Sequence, residues 1–149
     1  MPVEDVISIV GSSLWQGYFS FAFVRNPWDL VVSRYYYEIS KKKINSDVPF
    51  LTWLYKAPPV IWVRDELTGY THVDGEVAVS FIGRFENLQP DFETVCRKVG
   101  LDTPPLPHEK RRRVEKVHYS NYYDDAAVNF VGEKQTKAIE AFGYEFAYE

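Results

Sequence analysis

A single cysteine, Cys96, is all the chain contains, so no internal disulfide can form and the reducing cytoplasm is the expected compartment. No run approaches the roughly 18–20 consecutive apolar residues of a membrane span, and no basic segment followed by an apolar one opens the chain. A soluble, unprocessed protein with no membrane partner is expected on those grounds. Positive charge is also short. The 17 Lys and Arg face 21 Asp and Glu, a formal charge of −4, and general nucleic-acid binding needs a phosphate-neutralising surface that this balance does not supply. Any anion site must be local. Internal repeats and low-complexity tracts are absent. The stretches Ala57-Pro58-Pro59 and Thr103-Pro104-Pro105-Leu106-Pro107 are too short for linkers and read as loops within one domain over 1–149. The three histidines, His72, His108 and His118, have no metal-ligand spacing among themselves or with Cys96.

What is present is apolar and unusually aromatic. Hydrophobic residues make up 46% of the 149 residues and charged ones 26%, ordinary values for a globular protein, but 17% are aromatic, with 11 Tyr and 10 Phe. Val3 to Val10 has the spacing of a short helix stopped by Gly11. Phe19 to Val24 is apolar without alternation, the pattern of a strand covered on both faces. A helix is expected to follow at once, with Asn26 as its cap and Pro27 at its first position. Its apolar stripe is Trp28, Val31, Val32, Tyr35 and Ile39, and it should end within Lys41 to Lys43.

Further on, a helix is expected over Pro49 to Tyr55. Asp74-Gly75 has the chemistry of a hairpin turn into a strand over Glu76 to Phe85. Another helix starts near Pro90, buries Phe92, Val95, Cys96 and Val99, and stops at Gly100. Residues 101 to 121 read as a long polar loop carrying the basic cluster Lys110-Arg111-Arg112-Arg113. From Asp124 to Phe142 the pattern is helical again, with Gly132 as the expected break.

The turn from strand to helix has the makings of an anion site. A helix N-terminus offers unpaired N–H groups and the positive end of a dipole, and Arg25 would add a bidentate donor. At about 100° per residue, Asn26 and Ser33 fall on one side of the helix, away from the apolar stripe. The alternative for these residues is an ordinary capped helix with a structural Arg25 and a solvated Ser33.

The run Phe21-Ala22-Phe23-Val24-Arg25-Asn26-Pro27-Trp28-Asp29, with Ser33 eight residues after Arg25, resembles the 3′-phosphate-binding motif of sulfotransferases that use 3′-phosphoadenosine 5′-phosphosulfate (PAPS). The resemblance extends through Phe81-Ile82-Gly83-Arg84-Phe85-Glu86-Asn87-Leu88, Asp91-Phe92, Leu106-Pro107-His108, Tyr119 to Tyr123 and Phe142-Gly143-Tyr144-Glu145-Phe146, in the order seen in carbohydrate-type and bacterial members. Leu30 and Ser80 depart from it, standing where relatives often carry Arg and Asp. The family's upstream Gly- and Lys-containing loop for the 5′-phosphosulfate has no counterpart here.

The resemblance implies an α/β fold, part of a three-layer P-loop-NTPase-like architecture with a parallel sheet flanked by helices. It implies one sulfotransferase-like domain without the N-terminal strand–loop–helix that grips the 5′-phosphosulfate. The implied activity is sulfuryl transfer from PAPS to a hydroxyl or amine, with a carbohydrate or small molecule as acceptor. PAPS or adenosine 3′,5′-bisphosphate would be held by Arg25, Ser33 and Asn26, with Arg111, Arg112 and Arg113 closing over the phosphates. No residue matches a family base, so the catalytic group is unassigned. A non-catalytic nucleotide-binding or interaction remnant is the alternative. Loss of a strand from the implied sheet would expose apolar surface and favour self-association.

Overall fold

The computed structural model describes residues 1–56, 67–106 and 117–149. In chain order the elements are α1 (Val3–Val10), α2 (Ser12–Gly17), β1 (Phe21–Val24), α3 (Pro27–Ser40), α4 (Phe50–Lys56), β2 (His72–Val73), β3 (Glu76–Val77), β4 (Phe81–Arg84), α5 (Leu88–Val99), α6 (Asp125–Lys134) and α7 (Thr136–Phe142). Short 3₁₀ turns lie at Leu67–Tyr70, Phe85–Asn87 and Tyr119–Tyr122. Two compact units divide the chain: a first of Met1–Arg25 with Glu66–Pro107, and a second of Asn26–Asp65 with His108–Glu149.

In the first unit, β1 pairs in parallel with β4, Phe21 opposite Phe81 through Val24 opposite Arg84. The pairing selects glycine at Gly83. The Phe23 ring, opposite it, comes within 2.5 Å of where a Cβ on Gly83 would sit. β2 and β3 form a separate hairpin, closed by Asp74 at φ 51° and Gly75 at φ 83°, both in the left-handed region that a tight hairpin turn demands. α5 ends where Gly100 turns left-handed at φ 74°, and the Leu101 N–H reaches back to the Cys96 carbonyl at 2.9 Å. Trp15 of α2 donates from Nε1 to the Ala78 carbonyl at 2.8 Å.

The second unit is helix packed on helix. α3 buries Trp28, Val31, Val32 and Tyr35 of the expected stripe, but not Ile39, which is half-buried; they lie among Phe50, Trp53 and Leu54 of α4 and Ala127 and Val131 of α6. Aromatic edges knit this core: Tyr35 lies 5.5 Å from Phe50 and 5.4 Å from Trp53, and Trp28 lies 5.6 Å from Phe146. Burying side chains of this size contributes about 1.5–3 kcal/mol each before entropy is charged against it.

The parallel-sheet core flanked by helices is overturned. The chain is predominantly helical, and among the described residues strands form only two two-stranded sheets. The physical reason lies in the two expected strands. The run from Phe19 pairs only from Phe21, which is 46% exposed, so this strand is not covered on both faces. The expected strand from Glu76 to Phe85 splits, because the Ala78 N–H turns to the Thr71 carbonyl at 2.8 Å while the Ser80 N–H goes to the Ser20 carbonyl at 2.9 Å. The helical break also moves. Gly132 stays within α6, and Gln135 makes the corner, its N–H bonding the Val131 carbonyl while its own carbonyl accepts from Ile139.

Candidate functional site

The expected anion-binding residues have the following surroundings. Arg25 closes the first segment of the first unit, and its guanidinium carbon stacks 4.1 Å from the centre of the Phe85 ring. Asn26 opens the second unit and is buried. Its Oδ1 accepts from the N–H groups of Trp28 and Asp29 at 3.0 and 3.3 Å, so the amides that an anion would use are taken by the cap itself. Its Nδ2 donates to the Glu145 carbonyl at 3.1 Å and to the Tyr119 hydroxyl at 3.4 Å. That same hydroxyl oxygen accepts from the Ala147 N–H at 2.9 Å, so one side chain ties the start of α3 to the C-terminal segment. Ser33 lies half-buried on α3. Arg111, Arg112, Arg113 and His108 lie outside the described residues.

The polar chemistry of the second unit is turned inward. Glu38 is buried and forms ion pairs with Arg34, Nε to Oε1 at 2.9 Å, and with Lys43, Nζ to Oε2 at 3.3 Å. Tyr35 donates to the Val48 carbonyl at 2.7 Å, and burial, with the neighbouring Tyr36 adding to it, pushes its hydroxyl above the ordinary tyrosine range. His118 caps the Tyr119–Tyr122 turn, its Nδ1 accepting from the Ser120 N–H at 3.3 Å and lying 2.8 Å from the Ser120 hydroxyl. These are contacts that hold a fold. Among the described residues, no group of three or more His, Cys, Asp and Glu converges on a point that could hold a metal ion.

The first unit differs in leaving large apolar side chains in water. Ile9 at the end of α1 is 72% exposed, Leu14 of α2 57% and Tyr18 67%, and Phe21 of β1 is exposed as well, four large apolar side chains close together in sequence. Sequence reasoning did not single out this surface; in α1 Val3 is the buried residue and Val10 is exposed. Acid dominates the same unit. Nine Asp and Glu against four Lys and Arg give it −5, whereas twelve against thirteen give the second unit +1.

An uncharacterized protein of Archaeoglobus fulgidus is 38% identical over 126 residues, which span 82% of this chain and 97% of that protein. No family model matches the chain, and no solved structure matches it. The sulfotransferase resemblance is therefore corrected, since neither the predominantly helical build nor any family match carries it. The sulfuryl-transfer activity and the non-catalytic sulfotransferase remnant go with it. So do PAPS or adenosine 3′,5′-bisphosphate as cofactor, and the nucleotide sulfate donor and carbohydrate acceptor as partners. Self-association was expected from a larger parallel sheet and loses that premise. Arg25, Asn26, Ser33 and Arg111 to Arg113 keep no assigned ligand. No described helix is long and apolar enough to cross a membrane.

Proposed function

The chain belongs to the same family as that archaeal protein, and we propose that it is a protein-interaction domain whose partner covers the apolar surface left in water by α1, α2 and β1. One observation carries the reading. Ile9, Leu14, Tyr18 and Phe21 are all exposed along one stretch of an acidic unit, whereas apolar side chains on an unpartnered surface ordinarily scatter singly. Covering each such side chain on binding would contribute on the order of 1–2 kcal/mol. The second unit keeps its described large apolar side chains mostly buried. A cytoplasmic setting fits this role, since the one cysteine, Cys96, is buried and has no disulfide partner.

The test is capture from the native cytoplasm by the full chain, compared across paired variants. Leu14→Asp and Tyr18→Asp, both at exposed positions of the first unit, should abolish recovery of a stoichiometric partner. Tyr55→Ser and Tyr148→Ser, at exposed positions of the second unit, should leave it unchanged. Recovery indifferent to Leu14→Asp and Tyr18→Asp, or no partner at all, would overturn the reading.

A further inference from the structure

Resting on that reading, we infer that β1 takes an extended, basic segment of a partner protein as an added strand. The hydrogen-bond pattern sets which backbone groups are open. The Phe81 N–H donates to the Ser20 carbonyl at 3.1 Å, and successive residues of a strand turn their N–H and C=O groups to opposite sides. Ser20, Ala22 and Val24 therefore address β4, while Phe21 and Phe23 point their backbone groups the other way. Among the described residues, no hydrogen bond reaches those outward groups of Phe21 and Phe23. An incoming strand would find two N–H donors and two carbonyl acceptors in register.

The far edge of β4 differs. There the outward Arg84 N–H is closed by the Asp91 carboxylate at 2.6 Å, so that edge already has a cap. Exposed strand edges are ordinarily protected by charge, proline or a bulge, and the run Phe19-Ser20-Phe21-Ala22-Phe23-Val24 contains no charged residue and no proline. The side chains complete the match. Phe19, Phe21 and Phe23 form a row with ring centres 6.2 Å apart at each step, a platform for alternate apolar side chains of the added strand. Charge selects the partner: at −5 the unit attracts a basic segment and repels a second copy of itself.

Titration of the full chain with an alternating lysine–valine octapeptide, followed by amide NMR and fluorescence anisotropy, tests this. Three controls accompany it: the glutamate–valine counterpart, a lysine–valine copy N-methylated on alternate amides, and the chain variants Phe21→Ala and Phe21→Pro. Relative to alanine, proline removes the outward N–H and also fixes φ at about −65°, so the peptide-side comparison is the arm that isolates the backbone hydrogen bonds. Saturable binding is expected that shifts the Phe21 and Phe23 amides and slows their exchange. The N-methylated and glutamate peptides should bind at least tenfold more weakly. Phe21→Pro should lose at least fivefold relative to Phe21→Ala, with both variants keeping the wild-type spectrum elsewhere. The N-methylated comparison needs no protein variant and stands even if Phe21→Pro unfolds. No binding at millimolar peptide, or equal binding of the N-methylated copy, would overturn strand addition. Equal binding of the glutamate peptide would overturn the basic partner. A dimer in sedimentation that is lost in Phe21→Pro would replace the partner with a second copy and overturn the proposal too. If these arms fail while Leu14→Asp still abolishes capture, the interaction domain stands and only the strand is lost.

Discussion

Among the described residues, thirteen of the eighteen buried apolar side chains belong to the Asn26–Asp65 and His108–Glu149 unit, while eleven of the thirteen large exposed ones belong to the Met1–Arg25 and Glu66–Pro107 unit. One half keeps large aromatic residues inside, where Trp28 meets Phe146 and Tyr35 meets Phe50 edge to face and Trp53 lies tilted against Tyr35 and Phe50. The other leaves Tyr18, Phe21 and Phe85 in water. The contrast extends to polar groups. In the second unit Asn26, Tyr119, Tyr123 and Trp28 satisfy one another and nearby carbonyls, with Tyr123 donating to the Trp28 carbonyl and Trp28 Nε1 to Val128, at 2.8 and 3.0 Å. In the first, the outward backbone groups of β1 wait. That contrast is what the proposed interaction role rests on.

Substitutions in the second unit should show the largest effects. Trp28→Ala empties the centre of the α3 contacts and leaves the Val128 carbonyl without its donor, and should cost about 3–5 kcal/mol in urea unfolding. Asn26→Ala removes the cap of α3 and the donor to Glu145, and should cost about 2–3 kcal/mol. Asn26→Asp keeps the cap but not the donor, so its loss should be smaller.

In the first unit, Gly83→Ala drives a methyl into the Phe23 ring and should cost about 1–3 kcal/mol, confined by hydrogen exchange to β1 and β4. If that variant loosened α3 as much, the two units would not be energetically separate. The smallest effect concerns pH. Because the folded state raises the Tyr35 hydroxyl above its ordinary value of 10.0, the unfolded chain releases that proton first. The stabilisation is whole below pH 10 and is lost as pH climbs through the folded value. Tyr35→Phe should give up about 1 kcal/mol at neutral pH with the Val48 bond and flatten the alkaline decline, as read by denaturant titration from pH 8 to 11.

Local chemistry was legible in the sequence; pairing was not. Asn26 and Pro27 announced the start of α3, Gly100 the end of α5, and Asp74-Gly75 the hairpin, because each signal acts over a few residues. The number of strands that gather into a sheet depends on partners far along the chain, and there the reading failed, taking a four-residue strand for one member of a covered sheet. The motif around Arg25 misled for a related reason. A strand, a capped turn and a helix with a Pro at its first position describe a local geometry that many folds contain, and here the cap occupies the amides itself. Gly132 was expected to break a helix on propensity alone, yet it remains helical, and the chain turns three residues later at a buried Gln135. The exposed row from Ile9 to Phe21 could not be separated from a core pattern without knowing how few neighbours the first unit supplies.

Residue-resolved native-state hydrogen exchange on the free chain tests the contrast most directly. The amides of α3 and α6 should exchange only through global unfolding, those of α1 and β4 through cheaper local opening, and those of Phe21 and Phe23 with almost no protection while Ala22 and Val24 are slowed. Protection of Phe21 and Phe23 equal to that of α3 would mean that the edge is already closed, and would contradict the account.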